Sequence, residues 1–398
     1  VTGPAGRPRR PRQRAARGAS RVGQRFETVV GPVAHGGHCV ARVVPDPEGD
    51  PDGTRVVFVR HTIPGERVVL EITEGTDGDR FWRGDAVQVL EASPDRVEPP
   101  CPYAGPGRCG GCDFQHVALT RQRDLKAAVV REQLSRLAHL DVPVEVEAVP
   151  GDDHGLRWRT RVQYVDLPDG GRGMRAHRSR AVIPVEDCLI ARPDAREPAP
   201  GTLHETVLDR EFAVAGDGFW QVHPGAPRVL VEAVLSALRP RPGERVMDLY
   251  AGVGLFARFL AEAVGETGRV LAVEGDPAAA DHARANLGDL PWAGVETGSV
   301  DRVLASSYDE PVDLVVLDPP REGARRPVVE QIAARAPRAV AYVACDPAAL
   351  ARDVAYFAEQ GYVLRTLRAF DLFPMTHHVE CVALLEKTGP DLRRSDLR

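Results

Sequence analysis

Residues 246–257, VMDLYAGVGLFA, restrict what this chain can fold into more than any other stretch: an apolar run carrying Asp248 passes through Gly252 and Gly254 into a second apolar run. Glycine at two such positions opens backbone angles closed to other residues and lets a ligand approach the main chain. Phe256, Phe259, Leu260 and Val264 then recur at helical spacing, so the turn should open a helix whose N-terminal amides face a polar ligand. The loose dinucleotide fingerprint G-x-G-x-x-A fits the same residues, as does a turn that merely joins a strand to a helix. The continuation favours a nucleotide-type site. Residues 270–273 read as a second buried strand ending in Glu274, an acid able to accept both hydroxyls of a ribose, and Asp276-Pro277 opens the next helix.

From Gly243 to Gly361 strand and helix patterns alternate, which predicts a doubly wound α/β domain. Its later strands deliver reactive groups. Residues 313–317 run into Asp318-Pro319-Pro320-Arg321, placing an acid at a strand's carboxyl end, where ligands sit in open α/β sheets. The next strand, 339–344, delivers Cys345 ahead of Asp346-Pro347, and a thiol at a helix N-terminus is expected to have a lowered pKa. His377, His378 and Glu380 precede the final strand; as metal ligands they read poorly, since adjacent side chains point apart in a strand.

Upstream, short β-rich runs at 25–30, 39–44, 55–59, 67–72 and 85–90, split by Gly, Pro and Asp, suggest a small five-stranded barrel of OB type. Arg80, Phe81, Trp82 and Arg83 are its candidate single-strand contacts, with a core position for Phe81 and Trp82 the alternative. Ahead of it, eight arginines precede the first acid, Glu27, in a segment without an apolar run; this reads as a disordered basic arm able to touch phosphates. With 398 residues, 43% hydrophobic, the chain can bury a sizeable core, and its net charge of -6 excludes a generic polyanion binder. No run is long enough to span a bilayer, and seven cysteines without a secretory signal argue against a disulfide scaffold. A cytoplasmic location is expected.

Between barrel and α/β domain, Cys101, Cys109, Cys112 and the distant Cys188 can surround one metal centre, tetrahedral zinc or a 4Fe-4S cluster. Cys39 and Cys381 stand alone and read as core residues. Residues 120–139 form an amphipathic helix with Leu125, Val129, Leu134 and Leu137 on its apolar side. In 156–164, strand alternation places Arg157, Arg159 and Arg161 on one face and Trp158, Val162 and Tyr164 on the other; with Arg172, Arg175, Arg178 and Arg180 nearby, a nucleic-acid surface is expected. Residues 192–201, punctuated by proline, read as a linker.

Taken together in order, FWQ221V, D248LY250AG252VG254LF, VE274, LD318PPR, C345DPAALARD and FPMTH377H378VE380 resemble the motif set of the bacterial RNA 5-methyluridine methyltransferases. The cysteine quartet is similar to the 4Fe-4S site of the 23S rRNA branch of that family, and residues 22–91 resemble its TRAM domain. The sequence departs from that pattern at Ala251, Leu255 and Ser299, and in a longer Cys101 to Cys109 interval. The resemblance implies a basic arm at 1–21, a TRAM/OB-like barrel at 22–91, a central α+β iron-sulfur domain at 92–215 and a Rossmann-like class I methyltransferase domain at 216–398. It further implies Cys345 as nucleophile, Glu380 as proton-abstracting base, and Gln221, Tyr250, Glu274 and Asp318 as contacts to S-adenosylmethionine. The substrate would be a uridine in structured RNA, rRNA before tRNA, extruded from its stack, and the enzyme a monomer with a structural cluster. A nicotinamide oxidoreductase would share the glycine turn and Glu274 but leaves Cys345 and Glu380 unexplained; an inactive iron-sulfur RNA-binding protein would not need them.

Overall fold

A computed structural model describes residues 18–46, 48, 50, 53–168 and 170–388, so the expected basic arm lies, up to residue 17, outside the described residues. The chain divides into two compact units: one built from the residues up to Pro32 with His38–Pro94, the other from Val33–Gly37 with the residues from Asp95 onward.

The first unit holds β1 (Arg25–Val29), β2 (His38–Val43), β3 (Arg55–Arg60), β4 (Arg67–Glu74) and β5 (Phe81–Glu91). Alternate residues point inward, so Cys39, Ala41, Val43, Val57, Val59, Val68, Leu70, Ile72 and Trp82 make one core. The strands run in the order β1-β4-β5-β3-β2, with β3 parallel to β5. Thr28 Oγ1 of β1 donates to the Arg42 carbonyl of β2 at 3.2 Å, bringing the outer strands together as in an OB barrel. The same alternation separates two residues that the sequence left undecided. Trp82 is buried, its indole N–H donating to Thr76 O at 2.8 Å, whereas Phe81 faces outward with the Arg83 guanidinium 5.0 Å over its ring.

In the second unit an eight-stranded sheet is formed by β6 (Val146–Ala148), β7 (Arg245–Leu249), β8 (Arg269–Glu274), β9 (Ala293–Thr297), β10 (Leu314–Leu317), β11 (Ala339–Ala344), β12 (Tyr362–Asp371) and β13 (Glu380–Lys387). Their order is β9-β8-β7-β10-β11-β13-β12-β6, and β13 alone is antiparallel to its neighbours. Strand parity sorts the side chains. Val246, Leu314 and Val316 meet α2 (Ala226–Leu238) and α3 (Leu255–Val264) on one face. Met247, Val315 and Leu317 meet α1 (Leu119–Gln133), α4 (Arg325–Ala334) and α5 (Pro347–Glu359) on the other. This is the expected doubly wound arrangement, and the order switches between β7 and β10, the point at whose carboxyl ends ligands sit in such sheets.

Three expectations need correction. The predicted linker contains a strand, Ala191–Arg196, paired in parallel with Arg159–Arg161, because prolines at an edge leave the outer partner unneeded. The amphipathic helix ends its regular part at Gln133 and continues as a wider turn, Leu134–Ala138, which leaves Leu137 exposed. The arginine-rich strand is only Arg159–Arg161, and its cations are engaged internally: Arg157 pairs with Asp187 at 2.5 Å, Arg159 donates to Arg161 O at 2.9 Å, and Arg161 donates to Gly218 O. Trp158 and Val162 are buried as expected.

Candidate active site

At the carboxyl end of β7 the backbone turns through Tyr250 (φ 62°) and Gly252 (φ 55°) to Gly254 (φ 84°), which caps α3. A Cβ added to Gly252 would meet nothing within 4 Å, so glycine there keeps space open beside the main chain. Glu274, ending β8, holds the turn: one carboxylate oxygen accepts from Gly252 N and the other from Asp276 N, both at 2.7 Å. Asp248 is fully buried. Its Oδ2 accepts from Ala257 N at 2.8 Å while Oδ1 has no partner, and burial pushes its carboxyl up to about 8. Gln221 is half-buried next to the buried Trp220, on a segment fixed by Thr160, whose N–H and hydroxyl both donate to Val222 O. An open space walled by glycine backbone and acids fits S-adenosylmethionine, whose ribose and cationic groups seek acceptors.

Asp318 follows β10, Cys345 follows β11 and Glu380 starts β13, so the three lie on adjacent strands at one end of the sheet. Burial and the proximity of Asp318 push the Glu380 carboxyl well up, and burial raises Asp318 likewise; such a pair resists double ionisation. The Cys345 thiol is pushed up to about 12, first by burial and then by Glu380 and Asp318, with Arg321 opposing. This corrects the expectation of a lowered thiol pKa: the two acids and the loss of water outweigh the helix terminus, which Asp346 already caps by accepting from Ala349 N.

A cleft of about 140 Å³ opens beside Cys345, with Arg321, Phe114, Lys126, His377 and His378 among its walls. Arg321 donates to His378 Nε2 at 3.5 Å; burial lowers that imidazole to about 3, leaving it a neutral acceptor. The histidine pair lies in a loop rather than a strand, and the two rings are 4.1 Å apart instead of opposed. His377 Nδ1 donates to Asp113 at 2.6 Å. Sequence reasoning missed the groups that fix this loop. Lys126, fully buried on α1, binds Asp371 at 2.5 Å and Phe373 O at 3.0 Å, and the buried Gln122 accepts from Met375 N at 2.8 Å. Asp353, also buried, accepts from Ala324 N and Tyr342 OH, both at 2.7 Å, which anchors the chain after Arg321.

Cys39 and Cys381 are buried, as expected of core residues. Cys101, Cys109, Cys112 and Cys188 form no disulfide, and Cys112 is pushed up by burial and then by the thiols of Cys188, Cys109 and Cys101, so these four share a neighbourhood. Burial raises the Cys188 thiol, with the backbone amides of Ala191 and Ile190 opposing it. The expected metal centre is nevertheless not assembled: among the described residues no three His, Cys, Asp or Glu side chains are grouped to hold a metal ion.

The sheet order, the glycine turn and the acid at the end of β8 define a class I S-adenosylmethionine-dependent methyltransferase fold. The crystal structure of a tRNA (uracil-54, C5)-methyltransferase from Pyrococcus abyssi, in complex with S-adenosyl-L-homocysteine, superposes with a TM-score of 0.66 over 90% of this chain and 100% of that one at 20% identity, which is a likeness of fold. Residues 301–388 match the family described as tRNA (Uracil-5-)-methyltransferase. An RNA methyltransferase of Streptomyces avermitilis is 44% identical over 442 residues, covering 93% of this chain and 100% of the relative. A 23S rRNA uracil-C5 methyltransferase of Shewanella sediminis is 28% identical over 410 residues, 83% of this chain and 91% of that protein. The chain belongs to the RNA methyltransferase family of the Streptomyces relative, and the uracil-5 match falls on its residues 301–388. Among the described residues no helix is long and apolar enough to cross a membrane.

Proposed function

We propose that the protein methylates C5 of a uridine in structured RNA, rRNA rather than tRNA, through a covalent bond between Cys345 and C6 of the base. The observation that carries this reading is the convergence of Cys345, which lines the cleft, with the buried Glu380 and with Asp318 at one end of the sheet, where the acids act on the thiol. S-adenosylmethionine supplies the methyl group, and Gln221, Tyr250, Glu274 and Asp318 are the residues that would hold it. C5 of uracil is a weak nucleophile, so Cys345 must first give up its proton to solvent in the cleft and add to C6, moving the C5–C6 π electrons onto an enolate. C5 then forms its bond to the methyl carbon, whose bond to the sulfonium sulfur would break, its electron pair staying on that sulfur, so that S-adenosylhomocysteine leaves. Glu380 takes the C5 proton; a carboxylate with a raised pKa is the stronger base once ionised. Those electrons restore the C5–C6 double bond as the Sγ–C6 bond breaks. Arg321 lines the same cleft and can donate to the carbonyl that gains charge.

The four-thiol neighbourhood of Cys101, Cys109, Cys112 and Cys188 suits a structural 4Fe-4S cluster, and no step above needs an electron. Anaerobic reconstitution should yield roughly four irons per chain, whereas stoichiometric zinc would refute the cluster. Two experiments test the reaction. With labelled cofactor, Cys345→Ala should give neither methylation nor a denaturation-resistant RNA–protein band, while Glu380→Gln should accumulate that band carrying the methyl label. A band persisting in Cys345→Ala would move the nucleophile elsewhere. Mass spectrometry of a deletion strain should show 5-methyluridine lost from rRNA; loss from tRNA alone would reverse the substrate assignment.

A further inference from the structure

The residues that wall the cleft include three that lie far upstream of it in sequence. His35, Gly36 and Gly37 belong to Val33–Gly37, the short segment that packs with the second unit. His35 Nε2 donates to Asp346 Oδ2 at 3.1 Å. The other oxygen of Asp346 accepts from Ala349 N at 2.8 Å, so this carboxylate, the immediate neighbour of Cys345, is fixed from two sides. Two residues on, Gly37 has a φ of 76°, and a Cβ there would fall 2.6 Å from the Cβ of His377. The segment therefore touches both flanks of the cleft, one through His35 and Asp346 and the other through Gly37 and His377.

We propose that His35 is a positioning residue for the Cys345 nucleophile: by holding and charge-balancing the Asp346 carboxylate beside the thiol, the imidazole makes the thiolate easier to form. This rests on Cys345 being the nucleophile. The charges around the thiol explain why a counter-charge matters. Glu380, Asp318 and Asp346 all oppose a thiolate, and Arg321 favours it. His35 itself faces Asp346 and, farther off, Glu132, both of which favour its charged form over the effect of burial. Lys126, His377 and His378 complete the ionisable groups of the cleft. Removing the imidazole leaves Asp346 as an uncompensated anion next to the sulfur, which raises the cost of losing the thiol proton.

The test is the rate of Cys345 alkylation by iodoacetamide, read by peptide mass spectrometry on the full chain without RNA between pH 6 and 9. His35→Ala and His35→Gln should both react about threefold more slowly than the wild type near pH 6. The deficit should narrow as pH rises, because the wild-type imidazole loses its charge while the variants have none to lose. Glutamine keeps a hydrogen-bond donor, so it decides the matter if the alanine variant misfolds. An unchanged rate, or a deficit constant with pH, would overturn the proposal by leaving His35 a packing role only. A denaturation-resistant RNA adduct in Cys345→Ala would instead sink the underlying assignment, whatever the His35 variants do.

Discussion

The two halves of the crevice are built on different principles. On the cofactor side, across β7 and β8, Glu274 has both oxygens engaged by backbone N–H groups and the turn it holds is open to a ligand. On the pyrimidine side, across β10, β11 and β13, a thiol and two acids are gathered with their pKa values all pushed upward. The first half is organised before a ligand arrives. In the second the shifts favour the proton-bearing forms, and under the proposed reaction it would become reactive when substrate groups and a cationic cofactor change its surroundings. A site of this kind protects its nucleophile from idle chemistry at the expense of needing rigid scaffolding around unhappy charges, and that scaffolding is the buried set of Lys126, Gln122, Asp371 and Asp353.

The largest effect should come from breaking that scaffold. Lys126→Met strips the buried Asp371 of its counter-ion, which costs roughly 3–5 kcal/mol in such pairs. Urea unfolding should show this loss, and adding Asp371→Leu should recover most of it, since an apolar pair replaces an ion pair without stranding a charge. If the single variant is as stable as the wild type, the ion pair does not hold the Phe373 to Glu380 loop and the contrast between the halves weakens.

Glu274→Ala attacks the other half. Losing a charged acceptor for two backbone donors, and for ribose hydroxyls, should cost about 1.5–3 kcal/mol, seen in calorimetry as at least a roughly tenfold weaker affinity for S-adenosylhomocysteine. Cys345 alkylation should be unchanged, because the thiol's neighbours lie on other strands. A fall in both would show that the halves are one electrostatic unit.

How far the sequence revealed these halves follows from the range of the contacts. Glu274, Asp318 and Cys345 close apolar strands, Asp248 lies in one and Glu380 opens the last, so local pattern placed them at strand ends, while the resemblance gave Cys345 and Glu380 their roles. The scaffold was invisible locally: Lys126 and Asp371 are 245 residues apart, and His35 and Asp346 are 311 apart. A signal did exist on α1, where Gln122 and Lys126 fall in phase with Val129 and Val130 on the buried side; polar residues repeating on an apolar stripe announce partners without naming them. The thiol was misjudged for the same reason. Its helix terminus is written in the adjacent residues, whereas the burial and the two acids that raise it come from strands folded together.

An effect read as a pH dependence rather than a single loss sharpens the comparison at the strand the halves share. Asp248, on β7, feels Asp318 from one side and Glu274 from the other, but burial is the main reason its carboxyl rises to about 8. Between the ordinary carboxylate range near 4 and pH 8, the folded protein therefore keeps a proton that the unfolded chain releases. Stability must then fall as pH rises through that window, by at most about 1.4 kcal/mol per pH unit for this group, and level off above it. Asp318 and Glu380 act in the same sense. Asp248→Asn cannot ionise, yet its amide oxygen can still accept from Ala257 N, as Asp248 Oδ2 does at 2.8 Å. Urea midpoints at pH 5, 6.5 and 8 should show the variant close to the wild type at the lowest pH and more stable at the highest. Parallel curves for the two proteins would mean that Asp248 is ionised in the fold, and that the cofactor half carries its charge as the pyrimidine half does not.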